Sequence, residues 1–321
     1  MAYSPTETVR NPLVRVKSAS RSLKTLNIKA DQNVSHFSSH NHTSNLTIII
    51  TIIMSDDYKR VILVTGSNTG IGYEIVKGLA QKGQTVYLAA RTEAKGKEAQ
   101  EKLKKENNLD VKLVLLNVED LKSIEAARDF LEKAEGRLDV LVNNAGNGMG
   151  HPQSANEEMD VDILRAVFET NFFGLVNTTK TFLPLIRKAK PGYGNIVQNS
   201  MEWGACSWQA SEKGHTQFAT YSASKSAVHM YSIALANELK EARIRVNCCC
   251  PGFTTTALNK FAEGGKTPEQ GAQVLVNWSL LGPKDDGKTR TLPLHINHEE
   301  DITDKRFTGL LVNASGEIVP W

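Results

Sequence analysis

The sequence predicts an α/β fold, a doubly wound parallel sheet of about seven strands with helices on both faces, in a single domain. Three observations carry this reading. From Lys59 onward, short apolar runs alternate with amphipathic stretches. The apolar runs are continuous, as in strands buried on both faces, where an antiparallel sheet would alternate polar and apolar residues. Between the first run and the first helical stretch lies a glycine-rich turn, Thr65-Gly66-Ser67-Asn68-Thr69-Gly70-Ile71-Gly72.

Strands are expected at Val61–Val64, Thr85–Ala89, Val111–Leu116, Asp139–Val142, Asn195–Gln198 and Ile244–Cys248, with a late one near Leu310–Val312. These are short, β-branched runs bounded by turn residues. Helical periodicity fills the intervals at Gly72–Lys82, Glu93–Glu106, Leu121–Glu135, Glu157–Lys190 and Tyr221–Ala242. Residues 283–308 are polar and read as a surface loop before the last strand.

Of the 321 residues, 40% are hydrophobic and 23% charged, which excludes collagenous, low-complexity and wholly disordered chains. Residues 1–55 are set apart as a disordered or mis-annotated N-terminal extension, ahead of a domain over residues 56–321. The first 53 residues hold Arg10, Arg15, Lys17, Arg21, Lys24 and Lys29 against only Glu7 and Asp31. Their basic, Ser-rich character fits disorder, a true start at Met54, or an organelle-targeting segment; Ile48–Ile53 could add a strand. The remaining body is close to neutral and gives no electrostatic reason for a nucleic-acid partner. The longest apolar run, Ile48–Met54, is too short for a membrane span. Cys206 stands alone and Cys248, Cys249 and Cys250 are consecutive, so neither a disulfide framework nor a structural zinc site is expected. That usage fits a reducing, cytoplasmic compartment.

The glycine-rich turn has a chemical reading. A pyrophosphate must approach the backbone closely, so side chains must be absent at Gly66, Gly70 and Gly72. The following helix then offers free N–H groups and the positive end of its dipole. Ser67, Asn68 and Ile71 complete this candidate phosphate site. At the end of the second strand, where an acidic residue would accept from a ribose 2′-hydroxyl, the chain has Ala90-Arg91. A guanidinium there favours a 2′-phosphate, hence NADP.

Thr-Gly-x-x-x-Gly-x-Gly resembles the signature of the short-chain dehydrogenase/reductase family. The resemblance extends to Asn143-Asn144-Ala145-Gly146, Asn171, Tyr221-Ser222-Ala223-Ser224-Lys225 and Pro251-Gly252, in the family's order over residues 59–256. The ending Val319-Pro320-Trp321 is similar to the carbonyl-reductase-like branch. The resemblance implies a Rossmann-type sheet and cofactor contacts from Asn117, Val118, Asn144, Ala145, Gly146, Pro251, Gly252, Thr254 and Thr256. It also implies an NADP-dependent oxidoreductase acting on a carbonyl or secondary alcohol of a small molecule.

Tyr221 and Lys225, four residues apart, share one helix face. A neighbouring ammonium lowers a phenol's pKa, so Tyr221 is the candidate general acid/base. The resemblance gives Lys225 the nicotinamide ribose and Asn171 a water in a proton relay. The family's catalytic Ser is where the chain departs from pattern. Counting back from Gly204 puts Met201 in that slot and Ser200 one residue earlier. A regular strand register turns Ser200 away; a bulge lets it serve. Ser200 is the candidate, with Ser207 and Ser211 as distant alternatives. The substrate mouth is assigned to Asn147–Gln153, Ala205–Thr220 and the segment after Pro251. Trp208 could line it, whereas His215 reads as a solvated loop residue. Met201 leaves open a second reading, a catalytically weak NADP-binding sensor or scaffold.

Overall fold

The computed structural model describes residues 58–148, 154–212, 214, 218–283 and 308–321. The expectations for residues 1–57, for His215, for residues 149–153 of the mouth and for most of the 283–308 loop lie outside them.

Eight strands form one sheet in the order β3-β2-β1-β4-β5-β6-β7-β8. They are β1 (Val61–Val64), β2 (Thr85–Ala90), β3 (Lys112–Leu115), β4 (Val140–Asn143), β5 (Asn195–Asn199), β6 (Arg245–Cys249), β7 (Leu310–Val312) and β8 (Ile318–Val319). All pairings are parallel except β7–β8. The fold is the Rossmann-type sheet expected, with β8 as an eighth, antiparallel edge strand. At two residues it is too short to leave a periodic signal.

Parallel neighbours need crossovers, and helices supply them. They are α1 (Gly70–Gln81), α2 (Glu93–Asn107), α3 (Leu121–Glu135), α4 (Val161–Phe168), α5 (Leu175–Ile186), the single turn α6 (Cys206–Gln209), α7 (Ala219–Glu238) and α8 (Pro268–Ser279). The stretch Glu157–Lys190, expected as one helix, starts at Val161 under an Asp160 cap. It widens into a π-helical turn at Glu169–Gly174 before α5.

Strand alternation divides the core. Ile62, Val64, Val86, Leu88, Val140 and Val142 face α1, α2 and α8. Val61, Leu63, Tyr87, Ala89 and Leu141 face α3, α5 and α7. Leu63 is fully buried, and such a side chain contributes about 1.5–3 kcal/mol. The carbonyls after α8 are satisfied by buried guanidiniums. Arg60 donates to Ser279 O at 2.9 Å and Leu281 O at 2.8 Å, and Arg245 donates to Gly282 O at 3.0 Å.

The strand order reverses between β1 and β4. In open α/β sheets the ligand crevice opens outside the carboxyl ends of the strands at this point. No helix of the described residues is long and apolar enough to cross a membrane.

Candidate active site

The chain leaves β1 through Thr65, whose Oγ1 accepts from the N–H groups of Asn144 (2.9 Å) and Ala145 (3.0 Å) after β4. Two strand ends are thereby pinned together at the switch point. Gly66 and Gly70 both adopt positive φ, +58° and +59°, a region that strains any residue with a Cβ. No side chain caps α1, which leaves first-turn N–H groups facing the crevice. A Cβ on Gly72 would lie 2.4 Å from Asn144 Nδ2 and 2.6 Å from Gly66 O. The Asn144 amide donates to Thr65 O (2.9 Å) and Gly66 O (3.0 Å) and accepts from Asn199 Nδ2 (2.9 Å). Asn144 therefore braces the turn.

Ser67, expected among the cofactor contacts, is engaged with the strands on either side. It is fully buried, its N–H donates to Ala89 O, and its hydroxyl donates to Val64 O and accepts from Ala89 N. The residue after Gly66 is thus spent tying the turn to β2. Asn68 and Ile71 stay half-buried at the crevice, and Arg91 is exposed just past β2. Asn117 is half-buried; its Oδ1 accepts from Glu119 N (3.3 Å). Val118 packs on Gly174, where a Cβ would lie 2.8 Å from Val118 O.

From the other side, the segment after β6 arrives through buried Pro251 and Gly252 at φ +74°. The Thr254 hydroxyl donates to Gly252 O (3.1 Å). Thr256 caps the 3-10 turn Ala257–Asn259, and its methyl lies 3.8 Å from the Cβ position of Gly70. A cradle with uncapped N–H groups, two positive-φ glycines, a covering Thr256 and an exposed Arg91 fits a phosphate-bearing dinucleotide such as NADP.

The catalytic end is carried by α7. Lys225 is 4% exposed; its Nζ donates to Asn199 O (2.7 Å) and lies 5.4 Å from the Tyr221 ring centroid. Burial pushes the Lys225 ammonium down to about 8. Burial, with a smaller contribution from the Cys250 thiol, pushes the Tyr221 phenol above its ordinary value, the reverse of the lowering expected from a neighbouring ammonium. Asn171 sits in the π-helical turn, 1% exposed. Its Oδ1 accepts from Asn147 N (2.7 Å), and its Nδ2 donates to Asn147 O (3.0 Å) and Ser224 Oγ (3.1 Å). Ser224 in turn donates to Tyr221 O (2.7 Å), so Asn171 connects the loop after β4 to the turn of α7 that bears Tyr221.

Ser200 follows the regular one of the two registers weighed for it. β5 pairs with β6 in regular register, and Ser200 N continues the ladder to Cys249 O (2.9 Å) with no bulge. Its side chain is 3% exposed, and Oγ meets His229 Nε2 at 2.7 Å. His229 lies two turns beyond Tyr221 on α7, about 12 Å along the axis at 1.5 Å per residue. The contact that the Ser200 hydroxyl makes is with His229, two turns along α7 from Tyr221. Met201 follows at the strand end, half-buried and extended (φ −150°, ψ 145°). Ser207 and Ser211 donate to Pro320 O and Trp208 O.

Beyond Met201, Trp203 stacks on Trp208 at 5.6 Å between centroids and contacts Phe218 at 5.4 Å. The three consecutive cysteines are buried and Cys206 is exposed; all four are free thiols. No group of three His, Cys, Asp or Glu among the described residues could hold a metal ion. Asn199 and His229 were not legible as site residues: one acts through its carbonyl, the other through a strand-end contact that no motif marks.

Residues 60–266 match the family model described as short chain dehydrogenase. The chain is 34% identical over 243 residues to short-chain dehydrogenase anuI of Penicillium roqueforti, covering 71% of this chain and 91% of that protein. It is 33% identical over 267 residues to NADPH carbonyl reductase 1 of Mus musculus, covering 71% and 93%. Among solved structures, salutaridine reductase of Papaver somniferum matches with a TM-score of 0.61 at 27% identity, covering 70% and 96%. A short chain dehydrogenase of Shigella flexneri solved with NADP matches with a TM-score of 0.63 at 26% identity, covering 79% and 96%. The protein is thus a nicotinamide-dependent oxidoreductase in class. It belongs to the short-chain dehydrogenase/reductase family, in the carbonyl-reductase-like branch.

Proposed function

We propose that this chain is an NADP(H)-dependent carbonyl reductase that moves a hydride between the nicotinamide and a carbonyl or secondary alcohol of a small organic substrate. Tyr221 is the general acid/base. The observation that carries the reading is the Tyr221–Lys225 pair, with Lys225 Nζ fixed on Asn199 O beside an uncapped phosphate turn. Relatives named as NADPH carbonyl reductases and a neighbour solved with NADP support it.

Bound NADPH would supply the hydride. Gly66, Asn68, Gly70, Ile71 and Gly72 would hold its pyrophosphate, Arg91 the 2′-phosphate, Asn117 and Val118 the adenine side, and Asn144, Ala145 and Gly146 the middle of the crevice. Pro251, Gly252, Thr254 and Thr256 would border the nicotinamide half. The protein's own step is proton transfer. The Tyr221 phenol is protonated at neutral pH, as a donor to a carbonyl oxygen requires. As the hydride reaches the carbonyl carbon, the phenol gives its proton to the oxygen. The phenolate left behind is stabilised by the ammonium of Lys225. Alcohol oxidation runs the same transfers in reverse. Asn171 positions this turn of α7 through Ser224.

The test is NADPH consumption against a panel of ketones, aldehydes and quinones. Turnover by the wild type, lowered about 10²–10⁴-fold in Tyr221→Phe with NADPH affinity retained, is the expected result. NADPH binding with no turnover on any carbonyl would replace this reading with a cofactor-binding module.

A further inference from the structure

We infer that His229 is a positioning residue for the Tyr221–Lys225 pair, acting through its bond to Ser200. The inference rests on the oxidoreductase reading above. Tyr221, Lys225 and His229 recur every four residues and form one stripe along α7. The last two turns of that stripe are tied to consecutive residues at the end of β5. Lys225 Nζ donates to Asn199 O at 2.7 Å, and His229 Nε2 meets Ser200 Oγ at 2.7 Å. The first tie depends on where the Asn199 carbonyl points. That direction is set by the strand end, which the second tie anchors to the helix.

The surroundings leave this joint little freedom. The chain returns over it at Gly204, where a Cβ would lie 2.8 Å from Lys225 Cβ and 3.0 Å from His229 Cε1. Ser226 Oγ donates to Gly204 O and holds that crossing in place. On its outer side the His229 ring packs against Trp321, with centroids 5.1 Å apart and planes at 63°. The strand pair β7–β8 delivers Trp321 there, and Ser207 Oγ donates to Pro320 O at 3.0 Å. The final Pro-Trp thus shields the His229–Ser200 bond. Stability alone gives no reason for a polar pair at a site this dry, since replacing both partners by apolar groups of similar shape is nearly neutral. Its distinguishing consequence is the placement of Lys225.

The experiment compares wild type, Ser200→Ala, His229→Leu, His229→Gln and the double variant Ser200→Ala/His229→Leu. It measures kcat, carbonyl KM, NADPH affinity by fluorescence and thermal midpoint. Ser200→Ala and His229→Leu should each lower kcat about tenfold and weaken NADPH several-fold, with carbonyl KM within about twofold. The double variant should be no worse than either single one, because both remove the same bond. His229→Gln places an amide where Nε2 stood and should recover most of the loss. Wild-type kcat and affinity in Ser200→Ala, losses that add in the double variant, or a His229→Gln as impaired as His229→Leu would overturn the proposal. If His229→Leu does not fold, Ser200→Ala and His229→Gln decide it. If the wild type reduces no carbonyl, the oxidoreductase reading fails by itself. NADPH affinity then decides this proposal: several-fold weaker binding in Ser200→Ala upholds it, and unchanged binding ends it.

Discussion

A Cβ on Gly72 would fall 2.4 Å from the side-chain nitrogen of Asn144. That nitrogen is the donor that holds Thr65 O and Gly66 O, so the glycine and the asparagine set the shape of the phosphate turn together. Gly72→Ala should therefore displace Asn144, destabilise the fold by about 1–3 kcal/mol as overpacking does, and weaken NADPH binding. Thermal unfolding and cofactor titration check both. A Gly72→Ala protein with wild-type affinity would show that the brace is dispensable.

Cofactor choice should depend on Arg91. It is exposed next to buried Ala90, with no carboxylate at the strand end to repel a phosphate. Losing one charge-assisted phosphate contact costs about 1.5–3 kcal/mol, roughly 10- to 100-fold in affinity. Arg91→Ala should lose that factor for NADPH and little for NADH, as measured by fluorescence titration of both.

His229 should leave a signature in acid stability. Burial, and then the Lys225 ammonium, push its pKa down to about 4 from an ordinary 6.5. A backbone hydrogen bond with Gly204 works the other way but is the smallest of the three effects, and Ser200 and the Trp321 ring carry no charge. Between those pH values the unfolded chain binds the extra proton, so the residue's contribution is present above pH 6.5 and is lost as pH falls through 4. The loss is about 3 kcal/mol at 1.36 kcal/mol per pH unit. Urea unfolding of the cofactor-free protein from pH 7 to pH 4 should show a shallower decline in His229→Gln than in wild type.

Met201 should limit the rate. Counting back from Gly204 puts it where the family has a hydroxyl; it is half-buried and extended past β5, and a thioether cannot donate to a developing oxyanion. A preorganised donor at such a position is worth about 10²–10³-fold. Met201→Ser should recover part of that factor, about tenfold in kcat, with unchanged NADPH affinity. A kcat at or below wild type would mean that another group already fills the role.

Much of this molecule can be read from its sequence, because strands buried on both faces must be continuous apolar runs. Val61–Val64 and Leu310–Val312 are such runs, and they lie where expected. The turn from Thr65 to Gly72 is equally readable, since it is defined by missing side chains. The π-helical turn at Glu169–Gly174 is hidden because six residues between two α-helical stretches are too few to show a period of their own. The helix Pro268–Ser279 escaped although Thr267, Pro268 and Gln270 form a capping box with Pro at its start. Ser200 shows the limit of motif counting. A one-residue offset decides which face a side chain takes, and only the β5–β6 register resolves it.

The central claim is hydride transfer with Tyr221 handling the proton. Its most direct test is to supply NADPH carrying deuterium at both C4 positions together with a carbonyl substrate. The product alcohol is then examined by mass spectrometry and NMR. The account predicts one deuterium on the carbinol carbon with the wild type, and formation of that product slowed about 10²–10⁴-fold in Tyr221→Phe. Alcohol formed without deuterium at that carbon, or formed as fast by Tyr221→Phe, would contradict it.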